Sequence, residues 1–166
     1  MVERPAFRNA MARLAAGVNI ITTDGPAGRS GFTATAVCSV TDDPPTVLVC
    51  MNKGSRAYPV FTGNGVLCVN VLREGHADLS AAFAAGNRDL DACFAGAAWR
   101  TLSTGAAALE DAAVALDCKV VSVTEVGTHG IFMCEVLAVS TAADPGALIW
   151  LDRNYLRVGP GGAKVA

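Results

Sequence analysis

RSGFTATAVCS at residues 29–39 and VLVCMNKGSR at residues 47–56 are two strand-like runs that lie close to glycine, asparagine and cationic residues. Their β-branched content is typical of strands. Gly31 has no Cβ, so a flat ring could approach its backbone closely. Lys53 and Arg56 can neutralise a phosphate. Neutral hydrogen-bonding side chains lie nearby, at Thr33, Thr35, Ser39, Asn52 and Ser55. The two runs therefore favour a flat, anionic, aromatic ligand.

Composition argues against several classes of protein. The 166 residues carry a net charge of −2, whereas a nucleic-acid binder usually has a basic face. No apolar run reaches the roughly 18 residues of a membrane-spanning helix, and the charged N-terminal segment does not resemble a secretory signal. We therefore expect a cytoplasmic protein without nucleic-acid or membrane partners. Hydrophobic residues make up 52% of the chain and charged residues 17%, which favours an oligomer.

The cysteines do not form a metal-binding pattern. The six are scattered, no pair has CxxC spacing, and no histidine lies at ligand spacing beside them. Most lie in apolar runs, where a thiol behaves as a small hydrophobic group. We therefore predict no metal site and place five of them in the core: Cys38, Cys50, Cys68, Cys118 and Cys134.

Hydrophobic periodicity predicts a mainly β domain with a few short helices. Helices are expected at Pro5–Gly17 and Ala77–Ala85, and residues 86–105 are read as a loop with short helical pieces. Strands are expected at Val18–Thr23, Gly31–Val40, Thr46–Asn52, Val66–Leu72, Leu116–Val126, Ile131–Thr141 and Leu148–Leu151. Short turns between strands favour a closed or nearly closed barrel. The prediction is one domain over residues 1–158, followed by a flexible glycine-rich tail over 159–166.

Four segments together resemble a known family. They are VNIITTDGPAGRSGFTATAVCSVTDDPPTVLVCMN at 18–52, NGVLCVNVL at 64–72, GTH at 127–129 and LIWLDRNY at 148–155. From about Phe7 to Tyr155 the chain resembles the flavin reductase family with an FMN-binding split barrel. Its members are the small reductase components of two-component flavin monooxygenases. The most similar branches act with 4-hydroxyphenylacetate monooxygenase and in pyrimidine utilisation, and a further branch reduces a cobalt corrinoid through flavin.

The resemblance implies a six-stranded antiparallel split barrel that forms a homodimer. FMN, or FAD in some members, would lie in a groove near the dimer interface. NADH or NADPH would donate the hydride, and the reduced flavin would pass to a partner monooxygenase. The isoalloxazine would lie along Gly31, Thr33, Ala34 and Thr35.

The resemblance also assigns roles to the remaining candidate residues. Ser39 would lie near the ribityl phosphate chain. The turn that cradles the phosphate would contain Asn52, Lys53, Ser55 and Arg56. His129 would lie on the nicotinamide side as the catalytic residue, and Arg153 and Tyr155 would close over the rings.

Alternatives remain open from the sequence alone. Each candidate could be an ordinary strand, turn or surface residue. The chain could be a non-catalytic FMN-binding electron carrier, although that class would oxidise NADH slowly. A pyridoxamine-phosphate-oxidase-like or haem-utilising split barrel would need basic or histidine-rich residues that the sequence lacks. The segment Gly86–Ala98 departs from the family pattern where the dinucleotide site usually opens, so the choice between NADH and NADPH and the exact size of the pocket stay open. The sequence does not choose between FMN and FAD either.

Overall fold

The computed structural model describes residues 1–143 and 146–159. Within these ranges it contains four α-helices, a 3₁₀ turn at Glu74–His76 and twelve mostly short strands. The helices are α1 Arg4–Ala12, α2 Tyr58–Asn64, α3 Ala77–Ala84 and α4 Leu90–Ala95. The strands are β1 Ala16–Gly17, β2 Asn19–Thr23, β3 Ser30–Ala34, β4 Val37–Asp42, β5 Pro45–Asn52, β6 Val66–Val71, β7 Trp99–Thr101, β8 Ala107–Leu109, β9 Val114–Val126, β10 His129–Thr141, β11 Ala147–Leu151 and β12 Asn154–Val158.

The main sheet curls into a barrel. Its seven antiparallel strands run in the order β3-β2-β6-β9-β10-β5-β4. Strands β3 and β4 lie at opposite edges of this sheet, yet only Thr35 and Ala36 separate them in the chain. Two edges joined by so short a link must lie close together, because an extended residue spans only about 3.3 Å. The predicted mainly β antiparallel class is confirmed, with seven strands in the main sheet rather than six.

Two hydrophobic clusters lie on opposite sides of β2. Ile21 packs inside the barrel with Val49, Phe61 and Phe132. Ile20 belongs to a second cluster, which α3, α4 and the β11–β12 hairpin complete through residues such as Phe83, Phe94 and Leu148. All five residues of β2 are buried, because both faces of the strand are covered. Strand β3 pairs with β2 at one edge of the main sheet.

Several predicted elements differ in their bounds. Helix α1 ends at Ala12 rather than Gly17. The single strand predicted over Gly31–Val40 is two strands, β3 and β4. His129 is the first residue of β10 and pairs with Asn52, so it does not belong to the turn. Strands β1, β7, β8 and β12 were not predicted. The predicted tail starts at Gly159, and its residues 160–166 lie outside the described residues.

The cysteines only partly match the prediction. All six are free thiols. Cys68, Cys118 and Cys134 are buried as expected, and Cys93 is also buried. Cys38 is exposed and Cys50 is half-buried, so their assignment to the core was wrong. Cys38 lies on β4 and Cys50 on β5, the two paired strands at one edge of the main sheet.

Across residues 1–143 and 146–159, no helix combines the length and apolar character that a membrane crossing requires.

Candidate functional site

A cationic pocket lies between the start of β3, the turn after β5 and the segment that joins α3 to α4. Its cavity of about 380 Å³ is the size of a small-ligand site. Arg29, Arg56 and Arg88 line it, and none of the lining residues within the described ranges is acidic. The others are Ser30, Gly54, Ser55, Ala57, Val60, Gly86 and Leu90. We call this site the arginine pocket; its charge suits a phosphate.

Two of the three arginines are held by different kinds of partner. Arg29 Nη2 lies 3.1 Å from Asp91 Oδ1 on α4. The same guanidinium stacks on the Phe94 ring, 4.4 Å from its centroid. Arg56 Nη2 lies 3.5 Å from the neutral oxygen Oδ1 of Asn87. Of these contacts, only the ion pair between Arg29 and Asp91 neutralises charge, and the Asp91 carboxylate is well exposed.

Arg88 has a buried donor that the described residues do not satisfy. Its Nη1 donates to the Ala85 carbonyl at 3.1 Å. Its Nε is buried and has no hydrogen-bond partner among the described residues. Burial lowers the pKa of Arg88, and the neighbouring Arg56 lowers it further while Cys93 opposes the shift. A buried donor without a partner costs about 1–3 kcal/mol. An anion bound in the pocket would supply the acceptor that Arg88 Nε lacks and remove this cost.

Two adjoining cavities lie at the other end of β3 and share Thr35 and Trp150. We call them together the aromatic cleft. The larger measures about 660 Å³ and contains His129 and Arg153 from the predicted set. Its other lining residues are Phe7, Arg8, Met11, Ala12, Leu14, Ala16 and Ala36. The smaller is completed by Val18, Thr33, Ala84 and Tyr155. An apolar floor with a few polar groups is typical of a site for a flat ring.

Ser80 on α3 fixes two of the predicted residues. The hydroxyls of Ser80 and Tyr155 lie 2.9 Å apart. Thr33 Oγ1 donates to the Ser80 carbonyl at 2.6 Å. The Tyr155 ring packs edge-on against Trp150, with 4.8 Å between the ring centroids. Tyr155 therefore forms a rigid wall of the aromatic cleft, and the Thr33 hydroxyl is occupied within the protein.

Arg153 projects from a tight turn between β11 and β12. Asp152 and Arg153 both have positive φ, 48° and 63°. That combination is typical of a two-residue hairpin turn, and non-glycine residues adopt it at a cost in strain. The turn is anchored on α1, because the Asp152 amide donates to the Ala12 carbonyl at 2.6 Å and Arg153 Nη2 donates to Asn9 Oδ1 at 2.7 Å. These bonds hold α1 as a wall of the aromatic cleft.

His129 is the first residue of β10 and lines the larger cavity of the aromatic cleft. Its Nδ1 lies 2.9 Å from the Thr128 hydroxyl. That hydrogen bond orients the ring, while Nε2 has no protein partner among the described residues. His129 is exposed and lines the aromatic cleft with Trp150 and Arg153. His129 and Arg153, which the resemblance assigns to the ring end of the site, line the same cavity.

Strand β3 and the end of α3 connect the two sites. Arg29 lies beside the first residue of β3 and Thr35 beside the last, roughly 20 Å apart along an extended chain. Ala84 lines the aromatic cleft, and Gly86, two residues later, lines the arginine pocket. One edge of β3 is not paired with another strand in the described sheet. An elongated ligand with a ring at one end and a phosphate at the other matches this layout.

Five of the predicted residues line neither site, and three of these are Ser39, Asn52 and Lys53. Ser39 is exposed on β4, opposite Val47, and lines neither site. Asn52 Oδ1 accepts from the Gly54 amide at 2.8 Å, so it shapes the turn rather than facing a ligand. Lys53 Nζ lies 2.6 Å from Glu125 Oε2, so its charge is already paired and its expected role at a phosphate is not supported.

Gly31 and Ala34 are buried within the protein. A Cβ added to Gly31 would lie 2.7 Å from Cε1 of Phe83. The close approach that glycine permits on its Cβ side is therefore made by the Phe83 side chain of the same protein. The Ala34 carbonyl accepts from Asn19 Nδ2 at 3.2 Å.

Sequence reasoning missed Arg29, Arg88 and Trp150 as lining residues. A signal was available for the arginines. Arg29 follows Gly28, and Arg56 and Arg88 end the tripeptides Gly-Ser-Arg and Gly-Asn-Arg. Glycine turns at the ends of secondary-structure elements often bring such cations together. Trp150 lies inside an apolar strand, where nothing in the pattern separates a cleft wall from core.

Comparison with known proteins identifies the family. The flavin reductase like domain matches residues 11–159. A protein from Variovorax paradoxus named FMN reductase (NADH) RutF is 56% identical over 155 residues, which is 93% of this chain and 86% of that one. The chain belongs to the flavin reductase like domain family, and the resemblance stated from the sequence is confirmed.

Solved structures give the same answer for the fold. A crystal structure of a candidate flavin reductase from Haemophilus somnus has a TM-score of 0.92 at 44% identity, covering 95% of this chain and 100% of that one. The styrene monooxygenase flavin reductase of Pseudomonas putida S12 has a TM-score of 0.81 at 28% identity, covering 91% and 96%. The predicted enzyme class, a flavin reductase, is thereby confirmed.

Proposed function

We propose that this protein is an NADH-dependent flavin reductase that reduces FMN and delivers the reduced flavin to a monooxygenase. The single observation that carries the proposal is the pairing of an arginine pocket with an aromatic cleft along β3. The name of the Variovorax paradoxus relative supports FMN and NADH as its substrates. The styrene monooxygenase reductase supports a monooxygenase as the recipient.

In this proposal the arginine pocket binds the phosphate of FMN. Arg56 and the Ser55 hydroxyl come from the turn after β5 and line the pocket together. The unpaired β3 edge offers backbone groups to the polar edge of the ring system, which Thr35 reaches at the strand end. When bound, the flavin supplies the chemistry by accepting a hydride from NADH.

The residues of the aromatic cleft position the two rings. Trp150 and Tyr155 form a rigid wall, because their rings pack edge-on and Ser80 holds the tyrosine hydroxyl. His129, oriented by Thr128, places Nε2 where it can hydrogen-bond the carboxamide of a nicotinamide. Holding two reactants in register lowers the barrier by removing translational freedom in advance.

The proposed activity is tested by the loss of NADH absorbance with and without added FMN, FAD or riboflavin. The wild type should turn over rapidly only with added flavin, and FMN should give the lowest KM. His129→Ala should lose on the order of 10-fold to 100-fold in kcat/KM for NADH, because one positioning contact disappears. His76→Ala is the matched control, since His76 is bound to Asp111 and the Arg73 amide and lies outside both cavities.

Two outcomes of this experiment separate the alternatives. Tight FMN binding without NADH turnover would contradict the reductase and support an electron carrier. Equal losses in His129→Ala and His76→Ala would remove the assignment of His129 while leaving the reductase itself intact.

The protein is also proposed to act as a homodimer in the cytoplasm. Leu137 and Val139 on β10 and Val121 and Val126 on β9 are large apolar side chains that are exposed on one chain. A second copy of the same chain would cover such a surface. Sedimentation should give twice the mass of the chain, and Val139→Asp should shift the equilibrium toward the monomer.

A further inference from the structure

We propose that Lys53 and Glu125 are positioning residues, which together hold the strand end that carries His129 into the aromatic cleft. The inference rests on the proposed function, because that function gives His129 its place beside the nicotinamide. Neither Lys53 nor Glu125 lines the arginine pocket or the aromatic cleft. Both act through the backbone on either side of His129, without touching a ligand.

Lys53 binds two parts of the hairpin that β9 and β10 form. Its amide donates to the Thr128 carbonyl, in the turn of the hairpin, at 2.9 Å. Its Nζ donates to Glu125 Oε2, near the end of β9, at 2.6 Å. Lys53 also follows directly after Asn52, the β5 residue that pairs with His129. A single residue therefore holds both the turn and the end of β9 against the end of β5.

Tyr58 supports Gly130, the residue that follows His129 in β10. A Cβ added to Gly130 would lie 2.7 Å from the Tyr58 hydroxyl oxygen, so the strand rests directly on this side chain. The same hydroxyl donates to Glu125 Oε1 at 3.4 Å, and Glu125 is the residue of β9 that pairs with Gly130. Successive side chains of a strand point to opposite faces, so Tyr58 and Glu125 lie behind His129 rather than beside its ring.

The ion pair between Lys53 and Glu125 can orient the hairpin without adding much stability. The hydrogen bond and the charge of Lys53 lower the pKa of Glu125, so this carboxylate is ionised at neutral pH. The two side chains are 30% and 57% exposed, and exposed ion pairs contribute little to the free energy of unfolding. Removing the pair should therefore leave the fold intact. A displacement of about 1 Å at a positioning group can nevertheless cost on the order of 100-fold in rate.

Histidine NMR tests the inference without relying on turnover. The chain has two histidines, so the Cε1–H signals of His129 and His76 can be assigned from His129→Ala. Glu125→Gln and Lys53→Met release the same contact, so both should change the His129 signal in the same way and leave the His76 signal in place. The double variant Lys53→Glu with Glu125→Lys re-forms the pair and should return the His129 signal toward its wild-type position.

Kinetics then relate this positioning to NADH. Glu125→Gln should lower kcat/KM for NADH on the order of 3-fold to 10-fold and leave the KM for added FMN within about 2-fold. In a His129→Ala background the same substitution should have no further effect, because a residue that acts through His129 then has nothing left to position.

Asp111→Asn is the matched control. The Asp111 carboxylate lies 3.1 Å from His76 Nε2, in a surface ion pair outside both sites. This variant should change the His76 signal and leave the His129 signal and the NADH kinetics as in the wild type. The thermal midpoint of each variant, compared with the wild type, identifies any change that comes from unfolding.

The outcomes distinguish this inference from the proposed function. An unchanged His129 signal in Glu125→Gln would overturn the positioning role. So would opposite shifts in Glu125→Gln and Lys53→Met, because these remove opposite charges and such shifts would report only a change of local field. Kinetic losses that add in the His129→Ala background would also overturn it. A wild type that does not oxidise NADH would contradict the reductase, and the NMR signals would still decide whether the ion pair holds His129.

Discussion

At the scale of single residues, Gly31 combines a packing role with a position beside the proposed ligand groove. A Cβ at this position would lie 2.7 Å from Phe83 Cε1 and 3.2 Å from the Ile21 carbonyl oxygen. The backbone atom cannot yield easily, because β2 and β3 pair directly there. We therefore expect Gly31→Ala to reduce the free energy of unfolding by about 1–3 kcal/mol, measured by urea denaturation.

Gly17→Ala is the matched control for this prediction. Gly17 lies in β1, and an added Cβ there would meet no atom within 4 Å. This variant should keep wild-type stability or gain a few tenths of a kcal/mol, because alanine restricts the unfolded chain. A Gly31→Ala protein as stable as Gly17→Ala would mean that Phe83 moves away without cost.

The sequence indicated which residues line the cavities better than it indicated the contacts that each residue makes. Arg56, Thr35, His129 and Arg153 were predicted and do line the two cavities. The pairing of Lys53 with Glu125 could not be foreseen, because 72 positions separate them and only the β9–β10 hairpin brings them together. The same reason applies to Arg88, whose role depends on how α4 packs.

At the scale of elements, Asp117 on β9 anchors the segment before β8. Its Oδ2 accepts from the amides of Ser103 and Thr104, each at 2.7 Å, and its Oδ1 accepts from the Thr104 hydroxyl at 2.5 Å. Asp117 is fully buried, so these bonds replace water entirely. Asp117→Asn would turn an amide group toward these donors, and we expect the free energy of unfolding to fall by on the order of 3 kcal/mol.

The control for Asp117→Asn is Asp111→Asn. The Asp111 carboxylate is exposed and contacts His76 Nε2 at 3.1 Å. A surface pair contributes about 0–1 kcal/mol, so the thermal midpoint should change little. Equal effects of the two variants would refute the anchoring role of Asp117.

Secondary-structure elements were predicted correctly where their local sequence pattern is strong. They were missed where closure of the barrel sets their bounds or where they are very short. Strands β9 and β10 are long and rich in β-branched residues, and the sequence located both. The break at Thr35–Ala36 carries no glycine or proline, so it arises from closure of the barrel rather than from a turn signal. Strands β7 and β8 are three residues each, too short for any periodicity.

At the scale of the whole molecule, buried thiols determine part of the response to alkaline pH. Burial raises the pKa of Cys68 and of Cys134 to about 12, and it raises the pKa of Cys118 as well. In the unfolded chain these thiols ionise at about 8.5. Between the two values the native state binds more protons than the unfolded state. By linkage, their contribution is fully present below the unfolded pKa and is lost as pH rises toward the folded pKa.

Comparing the pH dependence of stability in a cysteine variant and in the wild type isolates this contribution, because both proteins share the titrations of all other groups. From about pH 7 to about pH 10, each buried thiol should remove on the order of 2 kcal/mol from the free energy of unfolding. Cys68→Ala lowers stability at neutral pH by leaving a small cavity, but its further loss up to about pH 10 should be smaller than that of the wild type by this amount. Cys38→Ala, which removes an exposed thiol, is the control for the loss of a cysteine side chain as such. Urea titrations at both pH values measure the difference, and parallel curves for the wild type and Cys68→Ala would show that burial does not hold this thiol protonated.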